Sequence, residues 1–590
     1  MGVSSAAFLF ILLVLGGGMG IPMGVPPGPE DPVMSMVAPD DCVLYASWSG
    51  VAKIDPDANP TEKWMGQPMV SKAVAKLRKG YRALLLNRGQ KSDNAVVRQA
   101  TKIAAELVDI GSTEPSAFYL SQFQLKNDKL STKGAFVISL GDQAAQMNTE
   151  FQRLLESILP IANNDDVVTA MQVVEIGGQK VIKIEIPAVD FPVFIAIWDN
   201  YFVAGLGAGS LPELAINWKT PQPKWLSETR GRLKVERVSS IAYLDSSIVT
   251  KELFESPSLS NFFAVQPLKE LSGEIKSVSW VAGLDADGFL TRTEIQLAEG
   301  ESSIKSIFGG KPIPKQFVDD VPADPMLGLA TRISTKAILE FVKSTAADIG
   351  QKQALEDSLQ EFQKLTGVKL ETELLDAVGD FIYFYYNFEM ANLEGGWIAS
   401  VRIEDEMSFP AIFDELNKGL KRWVDQQPEL NFEVKKIGKH EIYSVTHPAQ
   451  RWNNFAWALV DQQWYFARSP GEIANHVEGQ TAENQLTNHA TVKDLYEFGN
   501  REGFEGPVAI ANFNLPRILK LAHPFVMNAI PNPAGENRIF PELDFGWNDI
   551  PPLNELINEV QPNFTAVYRT KTGFQMLQRQ TYPGASPPVS

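Results

Sequence analysis

At 590 residues, 44% of them hydrophobic and 21% charged, the chain is too long for a single core. It is also too apolar for wholesale disorder, and it lacks the composition of collagen or of a polytopic membrane protein. A formal charge of −18 works against general nucleic-acid affinity, which requires Lys and Arg to displace counterions from phosphate.

Residues 6–15 (AAFLFILLVL) form an unbroken apolar run followed by Gly16, Gly17, Gly18 and Gly20, then by a Pro-rich stretch over 22–32. That pattern predicts an export signal, and hence a periplasmic or extracellular protein. The uncharged stretch also suits an uncleaved membrane anchor, with attachment through residues 6–25. Residues 1–36 are accordingly assigned to a leader plus linker. The single cysteine, Cys42, cannot form an intramolecular disulfide, and its place in the strand-like run CVLYASW predicts a buried, inert thiol.

Beyond the linker the sequence repeats itself. VVEIGGQKVIKIEIP at 173–187 lies without a gap on VKKIGKHEIYSVTHP at 434–448, and 134–139 corresponds to 396–401. Two units follow, over 37–300 and 319–583, joined by a linker at 301–318 and trailed by a flexible tail at 584–590. Each unit opens with a strand (43–48; 326–331) that leads into helical sequence, clear where Leu355, Leu359 and Phe362 recur at helical spacing before Gly367. Paired strands come next (116–123 and 134–140; 381–388 and 397–403), then a helix (144–158; 409–423). A hairpin turns at Gly177-Gly178 or Gly438-Lys439, a further strand ends at Asp199 or Asp461, and each unit closes on a strand, a helix and a hairpin turning at Gly288 or Gly573. Hairpins and short turns demand antiparallel pairing, so the predicted class is α+β, each unit a mainly antiparallel sheet with helices packed on it.

The stretch TGVKLETELLDAVGD at 366–380, the Pro-x-Asp opening of each unit and the Gly-x-x-x-Ile/Val-x-x-Val hairpin resemble a family of exported bacterial proteins classed as a domain of unknown function. The resemblance spans most of 37–583, and it implies a fold without supplying catalytic residues.

Few motifs point to chemistry. Gly205-Leu-Gly-Ala-Gly-Ser210 lacks the sixth-position glycine of a phosphate loop and corresponds to Ala467-Arg-Ser-Pro-Gly-Glu472, so it reads as a strand-to-helix connection. Asp285-Ala-Asp-Gly288 has its glycine too early for a calcium loop and reads as a hairpin turn. All five histidines (His440, His447, His476, His489, His523) fall in the second unit without zinc-site spacing, and surface positions are expected for them. No cofactor and no metal site is predicted.

Two features stand out. Residues 72–102 carry nine Lys and Arg, among them Lys72, Lys76, Arg78, Lys79 and Arg82, against Asp93 alone. Such a segment suits an anionic lipid or glycan, or else a solvated face drawn to the acidic remainder. The stretch 521–552 interleaves six prolines with aromatics, and Phe540, Phe545 and Trp547 are candidates for a flap over a groove or for plain packing. The aromatic strand FIYFYY at 381–386 has large side chains on both faces, to be covered by helices or offered to a partner. The expected function is that of an exported, non-enzymatic binding or scaffold protein. The alternative is an extracytoplasmic hydrolase with a carboxylate/His site in the second unit or the inter-unit cleft.

Overall fold

The computed structural model describes residues 24–580 except 91–94, 127–128, 163–170, 186–190, 255–265, 324, 390–393, 450–453, 480–484, 519, 522–537, 541–544 and 547–561. The leader at 6–15 lies outside the described residues. Contacts divide the chain into two compact units that change over between Gln296 and Leu297, with the described part of 525–559 returning to the first and 560–580 to the second. Both are α+β and built on antiparallel strands.

In the first unit the strands are β1 (Leu44–Trp48), β2 (Ser116–Lys126), β3 (Lys129–Ser139), β4 (Met171–Ile176), β5 (Gln179–Glu185), β6 (Pro192–Trp198), β7 (Tyr201–Leu206), β8 (Arg237–Asp245), β9 (Ile275–Asp285) and β10 (Gly288–Leu297). Their order across the sheet is β4-β5-β6-β7-β3-β2-β1-β8-β9-β10. Helices cover both faces. One face packs Tyr45, Ala117, Val137, Val203 and Ile241 against Leu211 and Leu214 of the Ser210–Asn217 helix and Leu226 of the Lys224–Arg232 helix. The other packs Ile138, Ile182, Ile197 and Phe202 against the helices Ala95–Gly111 and Ala144–Ala162, whose apolar residues Ile103, Ile110, Met147, Phe151 and Leu155 recur at helical spacing.

In the second unit the strands are β11 (Leu327–Arg332), β12 (Val378–Glu389), β13 (Glu394–Ile403), β14 (Asn431–Ile437), β15 (His440–Thr446), β16 (Phe455–Val460), β17 (Gln463–Ala467) and β18 (Pro507–Phe513). The hairpin β19 (Arg538–Phe540) and β20 (Phe545–Gly546) is its own two-stranded sheet and belongs with the first unit, whereas β21 (Asn563–Arg569) and β22 (Gly573–Gln580) close the second. The order here is β14-β15-β16-β17-β13-β12-β11-β18-β21-β22. One face packs Val401, Ile403 and Trp457 against Phe409, Phe413 and Leu416 of the Phe409–Val424 helix.

Local chemistry sets the corners. Gly177 and Gly438 hold φ of +60° and +57° at the β4–β5 and β14–β15 turns. Asp199 and Asp461, at φ 51° and 52°, turn β6 into β7 and β16 into β17, a left-handed conformation that Asp tolerates better than most residues. Gly367 caps the Lys352–Thr366 helix at φ 79°, as the periodicity before it predicts.

Candidate functional site

Lys72, Lys76, Arg78, Lys79 and Arg82 all lie on the Pro68–Gln90 helix. Helical spacing sets Lys72, Lys76 and Lys79 on one stripe, with Lys72 and Lys79 exposed and Lys76 half-buried. The Arg78 side chain lies outside the described residues. Arg82 is turned off the stripe toward the Ala95–Gly111 helix, where it pairs with Glu106 at 2.5 Å and Asp109 at 3.1 Å. The hydrogen bond to Glu106 holds the guanidinium above its ordinary pKa. Lys102 and Arg153 both reach Glu150 at 2.8 Å, and hydrogen bonds from Lys102 and Gln99 hold that carboxyl below the usual range. The basic segment therefore divides: Arg82 and Lys102 are matched by local carboxylates, while Lys72 and Lys79 are exposed to solvent.

The described part of the Pro-rich stretch is the β19–β20 hairpin, in which Phe540 faces Phe545 across the ladder. Strand β20 comes against the Pro68–Gln90 helix, so the two segments that stand out in the sequence meet. The side chains of Phe540 and Phe545, and Trp547 as a whole, lie outside the described residues.

Of the histidines, one departs sharply from a surface position. His476, on the Pro470–Gly479 helix, is 6% exposed and lies between two tyrosines of β12. Its Nε2 is 2.7 Å from the Tyr383 hydroxyl and its Nδ1 2.9 Å from the Tyr385 hydroxyl. Tyr465 of β17 packs on the same ring, with centroids 5.3 Å apart. Burial pushes the imidazole down to about 4, so the ring is neutral at pH 7. Nearby, Ser400 donates to Gln463 at 2.8 Å, and Gln463 reaches Asp320 at 3.4 Å, whose carboxyl is raised by burial. The network closes on itself, leaving neither nitrogen of His476 open to a substrate. His489 and His447 instead bond nearby backbone N–H groups. His489 caps the Ala490–Arg501 helix by accepting from Thr491 N–H at 3.3 Å and packs on Phe564, and His447 Nδ1 accepts from Ala449 N–H at 3.2 Å. His440 opens β15 opposite Ile437, and His523 lies outside the described residues.

The first unit places hydrocarbon at four of the network's positions and keeps a buried tyrosine, Tyr119, at the register position of Tyr385. Tyr383, Ser400 and Tyr465 lie side by side across β12, β13 and β17. Ala117, Val137 and Val203 do so across β2, β3 and β7. Leu214 follows Val203 at the spacing by which His476 follows Tyr465, and it is fully buried. The Tyr–His–Tyr arrangement is thus confined to the second unit. Sequence reading missed this site because its members are far apart in the chain. The one available signal was the tyrosine alternation in FIYFYY, which buries Phe381, Tyr383 and Tyr385 on one face while Phe384, on the other, is 38% exposed.

The remaining motifs resolve into backbone chemistry. A Cβ on Gly207 would lie 2.0 Å from Thr132 O and one on Gly205 2.5 Å from Ser210 Oγ, so the glycines of 205–210 permit close strand contact. Asp287 N–H donates to Asp285 Oδ1 at 3.0 Å, an Asx turn at the β9–β10 hairpin. The Cys42 thiol donates to Leu44 O at 2.9 Å, and burial raises its pKa, which leaves it unreactive. Among the described residues no group of three or more His, Cys, Asp or Glu is placed to hold a metal ion, and no helix is long and apolar enough to cross a membrane.

No protein-family model and no curated protein matches the chain. Solved structures of TP0453 in crystal forms III and I superpose with TM-scores of 0.22 and 0.20 at 10% identity, covering 46% of this chain and 82% and 81% of theirs. Superpositions this loose carry neither fold nor activity across.

Proposed function

We propose that the chain works outside the cytoplasm as a non-enzymatic binding or scaffold protein, and that the stripe of Lys72, Lys76 and Lys79 meets an anionic lipid surface. The observation that carries this reading is the division of charge on the Pro68–Gln90 helix. Arg82 is spent on Glu106 and Asp109, yet Lys72 and Lys79 face water in a protein of net charge −18. Each Lys near an anionic bilayer contributes about 1 kcal/mol, so three give on the order of a hundredfold in affinity. A second attachment through residues 6–25 would make the association durable, since single weak signals anchor reversibly. Sedimentation with phosphatidylglycerol and with phosphatidylcholine vesicles tests it. Binding should favour the anionic vesicles, weaken with salt, and fall about a hundredfold in the Lys72→Glu/Lys76→Glu/Lys79→Glu variant. Equal binding by wild type and variant would end the proposal, and capture by an acidic polysaccharide alone would transfer the site to a glycan.

We further propose that the two units, over 37–300 and 319–583, descend from one duplicated ancestor. The shared order of ten strands, the paired left-handed aspartates at Asp199 and Asp461 and the gapless match of 173–187 with 434–448 support this. On that view the lysine stripe is an elaboration of the first unit, because the corresponding 336–369 balances five Lys with five acids.

A further inference from the structure

A cleft of about 690 Å³ opens within the second unit between residues 309–312, 503–506 and 569–571. Its walls are pinned from behind. Ile313 N–H donates to Pro507 O at 2.8 Å, Phe504 N–H to Gly499 O at 2.8 Å and Thr570 N–H to Gly573 O at 2.9 Å. The Arg569 guanidinium donates to Gly309 O through Nη1, and the Phe504 ring stacks on Tyr568 with centroids 5.0 Å apart. Three cations line the cleft, Lys311, Arg569 and Lys571, against one carboxylate, Glu505. Net positive charge so concentrated runs against the −18 of the whole chain. In addition, Thr570 Oγ1 is buried at this wall without a hydrogen-bond partner within the protein. The hairpin itself does not require these residues: the corresponding turn of the first unit carries Asp285 and Asp287.

We infer that this cleft binds a soluble phosphate ester. A phosphate monoester near neutral pH carries close to two negative charges, which the excess of cations over Glu505 matches. Arg569 uses one donor on Gly309 and keeps the rest of its planar fork for phosphate oxygens, the geometry at which guanidinium excels. Thr570 supplies a hydroxyl, while Pro312, Phe504 and Val508 offer an apolar wall to the organic part. The volume lies within the range of small-molecule sites, roughly 300–1,000 Å³. This site is independent of the lysine stripe and of its proposed lipid partner.

Isothermal titration of the full chain with inorganic phosphate, pyrophosphate, glucose 6-phosphate and glucose tests the inference. Glucose 6-phosphate should bind, inorganic phosphate more weakly, and glucose not at all. Lys311→Glu/Lys571→Glu should weaken binding at least about tenfold, Glu505→Gln should tighten it, and Lys72→Glu/Lys79→Glu should leave it unchanged. Circular dichroism confirms that each variant is folded. Vesicles of phosphatidic acid form a further arm: binding to them alone, lost with Lys571→Glu, would keep the phosphate chemistry but overturn the soluble ligand. Failure of all three phosphate compounds and of these vesicles to bind, or equal binding by the charge-reversed variant, would overturn the site.

Discussion

The two units place different chemistry on the same strand order. Across β2, β3 and β7 the central positions are Ala117, Val137 and Val203 beneath Leu214, whereas across β12, β13 and β17 they are Tyr383, Ser400 and Tyr465 beneath His476. A hydrocarbon core forgives local shifts, because dispersion and water exclusion are nondirectional. A buried imidazole between two hydroxyls does not, because each donor must keep its acceptor or bear an uncompensated loss of solvation. The second unit therefore depends on each member of its network in a way that the first does not, and the cost of burying it is met only while it stays complete.

The largest effect should follow from transplanting one member of the network into the first unit. Leu214→His puts an imidazole among Ala117, Val137 and Val203, where Tyr119 alone stands in place of the Tyr383 and Tyr385 pair, and denaturant unfolding should record a loss of about 3–5 kcal/mol. A milder loss would mean that the first unit can also satisfy a polar group at this position.

Next in size is a pH effect confined to the second unit. His476 has its folded pKa pushed down to about 4 by burial, while the unfolded chain takes up that proton near 6.5. Stability present above pH 6.5 should therefore drain away as pH falls toward 4, by roughly 3 kcal/mol in all. Asp320 runs the other way, since an acid raised by burial favours the fold when protonated. The contribution of His476 is accordingly read as the difference between wild type and His476→Gln over pH 4–7, and a flat difference would contradict the burial argument.

The smallest effect belongs to the surface of the first unit. Arg82→Ala removes pairs that are partly exposed and screened, so it should cost under about 1 kcal/mol by thermal or denaturant unfolding. A larger loss would show that the basic helix is held mainly through this guanidinium.

Much of the architecture was legible because its signals are local. The Gly177 and Gly438 turns, the Gly367 cap and the helical spacing of Leu355, Leu359 and Phe362 each sit within a few residues of the structure they specify. The chemistry was not. His476 meets Tyr383 across a separation of 93 residues, so no window along the chain reveals its burial. The cationic cleft likewise draws on three segments remote from one another, and Arg569 and Lys571 look like ordinary turn residues until 309–312 and 503–506 are folded beside them. Alternation in FIYFYY announced two apolar faces but could not say that Phe384 would be left partly open.

The most direct test of the contrast between the two cores replaces the network in stages and measures unfolding at pH 7. His476→Leu alone takes the imidazole acceptor from one of the Tyr383 and Tyr385 hydroxyls and the ring N–H donor from the other, and should cost about 2–4 kcal/mol. Adding Tyr383→Phe and Tyr385→Phe removes those two hydroxyls and should restore part of that loss, the Tyr465 hydroxyl that bonds Tyr383 remaining behind. If the triple variant is instead as unstable as the sum of its parts, the polar network is required by the second unit, and the two cores are not alternative fillings of one strand order.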